Sequence, residues 1–94
     1  MRLLMIIVES RYKEKVAAAL LQEKVAGWTE IPTVYGMGET GLRLGSRAFP
    51  QTSTILFSVV EGECIEALVR TIDVLCADCR KAMRLLVWDV EKML

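Results

Sequence analysis

Leu3-Leu4-Met5-Ile6-Ile7-Val8 is a continuous apolar run of strand length, closed at once by Glu9. A strand alternates its side chains between two faces, so six successive apolar residues make both faces apolar and both need cover. A second run of this character returns at Thr54-Ile55-Leu56-Phe57-Ser58-Val59-Val60 and is broken by Gly62. Residues 28–35 are rich in β-branched and aromatic residues and read as another strand. Pro32 lies inside that strand and lacks a ladder donor, which predicts an edge position. Residues 85–90 read as the fourth strand.

Two helices fill the gaps. After the first strand, Ser10 is a candidate N-cap, and Val16, Leu20 and Leu21 recur at helical spacing with Ala17 beside them. Lys13, Glu14, Lys15, Gln22 and Glu23 occupy the wet side, and Gly27 is the expected terminator. The second helix carries its stripe on Ile65, Leu68, Val69, Ile72, Leu75 and Cys76. Glu61, Glu63 and Glu66 favour its N-terminal dipole. The order is β-α-β-β-α-β. Right-handed crossovers then put both helices on one side of a four-stranded antiparallel sheet, an α+β fold of the ferredoxin-like type. The other sheet face is left bare and apolar.

Composition points the same way. The 94 residues make one domain, 1–94. Of these residues 53% are hydrophobic and the mean hydropathy is +0.36. That is more apolar surface than a small core hides, so a membrane or a partner must take the rest. A membrane helix needs about 20 apolar residues, and no such run exists. The expectation is a cytoplasmic chain with no membrane insertion that associates with copies of itself. Twelve basic and twelve acidic residues cancel without a basic stripe, which argues against nucleic acid.

No histidine is present, which removes the commonest general base and metal ligand. Nor is there a Ser-His-Asp or Cys-His set, so no catalytic residue and no enzyme are expected. Cys76-Ala77-Asp78-Cys79 is a CxxC, but zinc needs four ligands and Cys64 is the only other thiol. With no export signal, all three cysteines are expected to be reduced, and Cys76 and Cys79, on the apolar stripe of the helix, to be buried and structural. Glu30 and Asp89 are acidic residues among apolar ones, expected at solvated edges.

Residues 36–53 form the longest irregular stretch. A loop of that length in a small domain is usually functional. Gly36-Met37-Gly38-Glu39-Thr40-Gly41 matches GxGxxG. A dinucleotide site would need a helix to open there, yet residues 42–53 have no helical period and contain Pro50. A turn with positive φ angles remains, or a nest of backbone amides holding an anion with help from Arg43 or Arg47.

Val34-Tyr35-Gly36-Met37-Gly38 resembles the Val-Lys-Gly-Phe-Gly that closes the second strand of PII nitrogen-regulatory proteins before their T-loop. Val87-Trp88-Asp89-Val90-Glu91-Lys92 is similar to the family's final Val-Leu-Pro-Val-Glu-Arg. Val16-Ala17-Ala18-Ala19-Leu20 sits where the family has Val-Arg-Glu-Ala-Leu. The compact PII-like branch also has stretches like residues 36–41 followed by Arg43, Gly45 and an aromatic-proline pair, here Phe49-Pro50. The resemblance implies a homotrimer with inward-facing sheets and inter-subunit clefts that bind an adenine nucleotide or small anion. It also implies an unknown enzyme or transporter regulated through the loop 36–53. The candidate ligand-binding residues are Gly36, Met37, Gly38, Glu39, Gly41, Arg43, Arg47 and Arg84. No cofactor beyond such an effector, and no metal, is expected.

Three departures from the family pattern bear on the ligand. The phosphate-cradling Gly-Asp-Gly-Lys turn is replaced by Lys81-Ala82-Met83-Arg84, no Arg-x-Arg pair follows the last strand, and no tyrosine follows Tyr35. A mono- or diphosphate or a small carboxylate is therefore expected over a triphosphate. The alternative reading is a trimeric metal-binding protein of the divalent-cation-tolerance type.

Overall fold

The computed structural model describes residues 1–94. It is a ferredoxin-like α+β fold with a four-stranded antiparallel sheet. The strands are β1 (Arg2–Glu9), β2 (Thr29–Val34), β5 (Ser53–Val60) and β6 (Met83–Asp89), in the order β2-β5-β1-β6. A small separate hairpin, β3 (Gly36–Gly38) and β4 (Gly41–Arg43), stands inside the stretch read as irregular. The helices are α1 (Lys13–Gln22), α2 (Glu63–Leu75) and the single turn α3 (Cys79–Ala82).

The two apolar runs became the central strands, paired from Arg2↔Val60 to Glu9↔Ser53. Alternate residues Leu4, Ile6 and Val8 are sealed with Leu56 of β5, Val16 and Leu20 of α1, and Leu68 and Ile72 of α2. Their neighbours face the other way and form cross-strand rows on the bare face. Leu3 lies opposite Val59 and Trp88, Met5 opposite Phe57 and Leu86, and Ile7 opposite Ile55 and Arg84. Val59, Leu86 and Trp88 are exposed. The expected apolar sheet face is thus present.

Pro32 falls where the pairing of β2 with β5 shifts register, between Ile31 and Val34, so the missing donor costs no ladder bond in an edge strand. Glu30 and Asp89 sit on opposite edge strands. They pair with Lys13 at 3.3 Å and Arg2 at 3.3 Å, so the two carboxylates never meet.

Both expected boundaries of the first helix are corrected. The Ser10 side chain caps nothing: a 3₁₀ turn over Ser10–Tyr12 precedes α1, and the Ser10 hydroxyl instead bonds those of Thr54 (2.9 Å) and Thr52 (2.8 Å). Gly27 does not end the helix either. Lys24 takes the left-handed conformation (φ 57°). The Val25 N–H then reaches the Leu20 carbonyl, and the Lys24 N–H reaches that of Leu21, both at 3.0 Å. This pair of bonds is the Schellman closure, normally built on glycine. A lysine there carries the Cβ clash of that conformation. Lys24→Gly should therefore raise stability by about 1 kcal/mol in denaturant titration. A loss of stability would show that the Lys24 side chain makes a contact of its own.

The cysteines require a further correction. Cys76 and Cys79 are buried, as expected, but they are joined in a disulfide. Cys76 leaves the helical conformation at the end of α2 (φ −150°, ψ 97°), and Cys79 opens α3. That corner brings the two Cα atoms to 5.4 Å, within bonding range. Cys64 is free. No helix is long and apolar enough to cross a membrane.

Candidate ligand-binding site

The hairpin is built around one side chain. Glu39 and Thr40 form the turn, Gly41 supplies a positive φ of 114°, and Gly36 pairs with Arg43. From β4, the Arg43 guanidinium runs beneath Gly38, so close that a Cβ at residue 38 would lie 2.7 Å from Nη2. A side chain at residue 38 would therefore have to displace the Arg43 guanidinium from its hydrogen bonds, which favours glycine there.

Arg43 is only 5% exposed, which is unusual for a cation. Its Nη1 donates to Ser53 Oγ at 3.0 Å, and its Nη2 donates to Thr40 Oγ1 at 3.0 Å and the Ala82 carbonyl at 3.2 Å. The Thr40 hydroxyl in turn donates a hydrogen bond to Glu9 Oε2 at 3.1 Å. Glu9, 2% exposed, is paired through Oε1 with Arg11 Nε at 2.8 Å. The charge on Arg43 is thus joined to a carboxylate only through a hydroxyl, and that carboxylate already has its own cation. Arg43 Nε is buried without a partner.

Beside this network lies a cavity of about 350 Å³, within the usual range for small-molecule sites. Its floor comes from Ile7, Ile55 and Arg84, the last cross-strand row of the bare sheet face. Val34, Tyr35 and Met37 add apolar wall. The charged groups on its lining are Arg43, Lys81 and Arg84 against Glu39 alone. None of these three cations takes part in an ion pair. An anion entering here meets a local excess of positive charge beside low-dielectric walls, the arrangement that focuses field onto a ligand.

Six of the eight residues singled out from the sequence line this cavity: Gly36, Met37, Gly38, Glu39, Arg43 and Arg84. Gly41 and Arg47 do not. Gly41 shapes the hairpin turn, and Arg47 sits in an outer turn closed by Ser46 N–H to the Phe49 carbonyl at 3.0 Å. An amide nest at Gly36 and Gly38 is not formed. Both lie in extended strand, where successive N–H groups point opposite ways. Lys81, Glu9 and Ser53 were missed. Lys81 carries no sequence signal beyond its place before the last strand, and the other two acquire their roles only through long-range contacts.

A second cavity, about 280 Å³, lies among α2, α3 and β6. Its Arg80 is neutralised by Asp73, at 2.6 and 3.1 Å. The hydrogen bond from Arg80 holds the Asp73 carboxyl below the usual carboxylate range, and Asp73 in turn raises Arg80. Asp73 and Arg80 thus neutralise each other, and the one other cation on this lining, Arg84, is shared with the first cavity, where Arg43 and Lys81 join it; the first cavity is therefore the better candidate for an anion. No three Cys, Asp or Glu side chains converge as a metal site.

A family model, "Nitrogen regulatory protein P-II", matches residues 1–93. No curated protein matches the chain significantly. Among solved structures it is similar to CPII, a nitrogen regulatory PII-like protein from Thiomonas intermedia K12. With CPII bound to ADP, AMP and bicarbonate, the TM-score is 0.76 at 21% identity, covering 95% of this chain and 84% of that one. With CPII bound to ADP, AMP and acetate, it is 0.75 at 19% identity, with the same coverage. The apo form of CPII gives 0.73 at 18% identity, covering 95% and 87%. At these identities the likeness speaks for the fold.

Proposed function

The chain belongs to the nitrogen regulatory protein P-II family, and from that premise we propose that it is a PII-like signalling protein, a homotrimer that senses an adenine nucleotide or small anion in clefts between subunits. The observation that carries this is the position of the cavity. Its cationic floor is continuous with the bare apolar face through the row Ile7, Ile55 and Arg84. A copy packed on that face borders the cavity, so a ligand there touches two subunits. Binding then reports to the hairpin, whose residues 36–39 form the opposite wall. Residues 36–53 are the surface through which an enzyme or transporter is regulated.

The ligand chemistry follows from the lining. Arg43, Lys81 and Arg84 suit one or two anionic groups, and Val34, Tyr35 and Met37 suit a flat apolar body. CPII, the structural relative, is bound to ADP, AMP and bicarbonate, and the same classes are the natural probes. The test is calorimetry with AMP, ADP, ATP and bicarbonate on wild type and on Lys81→Ala/Arg84→Ala. AMP or ADP should bind more tightly than ATP. The double variant should lose at least about tenfold in affinity, since each charge-assisted bond contributes roughly 1.5–3 kcal/mol. Unchanged affinity in the variant removes the cavity from the account, and tightest binding of ATP overturns the ligand class.

A further inference from the structure

We propose that the Cys76–Cys79 pair is a redox control of the anion cavity, transmitted through α3 to Arg43. The proposal rests on the ligand site just described, but its structural half is testable without any ligand. One short segment joins the two places. Cys79 opens α3, Ala82 closes it, and the Ala82 carbonyl holds Arg43 Nη2 at 3.2 Å. Lys81 on α3, with Met83 and Arg84 directly after it, lines the cavity. Thus the bond that fixes the start of α3 lies three residues from an anchor of the buried cation. Arg43 has little freedom of its own, because its guanidinium is buried and tied to Ser53, Thr40 and Ala82. A shift of α3 is therefore passed to the hairpin wall.

Reduction supplies such a shift. Cys76 and Cys79 are 3% and 0% exposed, inside the core. Two thiols cannot keep bonding distance, and a close-packed interior gives them no spare space. Ala77 and Asp78, between the two cysteines, are exposed, and α3 is a single turn, so the corner opens at the expense of α3.

The chemistry is thiol–disulfide exchange with a dithiol reductant. A thiolate of the reductant attacks the Cys76 sulfur during a transient fraying of the single-turn α3, the S–S bond breaks, and Cys79 leaves as a thiolate and is protonated; the broken bond then lets the corner stay open. The reductant's second thiol then attacks its own half of the mixed disulfide and releases Cys76, which takes the second proton. Two electrons and two protons pass to the cysteines, and the reductant departs as a disulfide. Exchange with a disulfide oxidant runs the sequence backwards.

The experiment compares oxidised wild type, wild type reduced with dithiothreitol, and Cys76→Ala/Cys79→Ala. Amide and Arg43 Nε–H resonances are followed first, then ADP affinity by calorimetry. Reduction should shift the signals of Gly38, Arg43 and Ala82 and weaken ADP binding about tenfold. The double variant should resemble the reduced form and ignore dithiothreitol. Shifts confined to residues 75–80 overturn the proposal, and reduced wild type gives that answer even if the variant fails to fold. Shifts at the hairpin with no ADP binding in either state would support the redox coupling and remove the ligand reading instead.

Discussion

Arg43→Ala should cost about 3–4 kcal/mol of stability and abolish binding at the cavity, the largest effect expected of any single side chain in the loop 36–53. The guanidinium makes three hydrogen bonds to three separate pieces of chain: Ser53 of β5, Thr40 of the hairpin turn and Ala82 of α3. Bonds from charged donors contribute roughly 1.5–3 kcal/mol each. The cost of burying the cation offsets part of that sum. Truncation also leaves acceptors unpaired and opens space under Gly38. Arg43→Lys keeps the charge but places one ammonium where a planar fork spans three acceptors, and should recover less than half of the loss. Arg47→Ala, outside the cavity, should stay within about 0.5 kcal/mol and leave binding unchanged. Denaturant titration with amide-exchange protection of residues 36–43 checks all three. A loss below about 1 kcal/mol for Arg43→Ala, with the hairpin still protected, would mean that other contacts hold this wall.

Phe57→Asp should convert the proposed trimer to monomers. Phe57 sits in the middle row of the bare face, between the rows of Val59 and Ile55 and opposite Met5. In an isolated subunit it is only partly covered, so aspartate there is tolerated by the fold. In a trimer with sheets facing inward the carboxylate would be desolvated without a cation. An uncompensated buried charge costs about 3–5 kcal/mol, and each subunit would contribute one. Phe57→Leu, still apolar, should remain assembled. Sedimentation velocity at micromolar concentration distinguishes the outcomes. If Phe57→Asp sediments as wild type does, the bare face is not the interface.

The apolar runs made the central strands legible because strand burial is written locally, in six or seven adjacent residues. The edge position of β2 was legible from Pro32 for the same reason, since the missing donor belongs to one residue. The hairpin was not. Its strands have three residues each and contain Gly36, Gly38 and Gly41, so the local signal was that of a breaker, while its support comes from Ser53 and Ala82, 10 and 39 positions from Arg43. The same gap explains Arg43 itself. An arginine in a glycine-rich loop reads as a solvent-facing ligand, and only the fold reveals that it is buried. Lys24 shows the reverse error. The expected glycine stood three residues later, but the helix had already ended where its backbone bonds could close. At Cys76 and Cys79 the spacing was visible, but the corner that brings them together was not, because α2 was expected to continue through Cys76.

Native mass spectrometry of the purified protein with added ADP tests the central claim most directly, since it reads assembly and ligand together. The account predicts a species of three chains carrying up to three nucleotides, with the nucleotides lost in Lys81→Ala/Arg84→Ala while the three chains stay together. A single chain without nucleotide, over the range of micromolar concentrations, would contradict it.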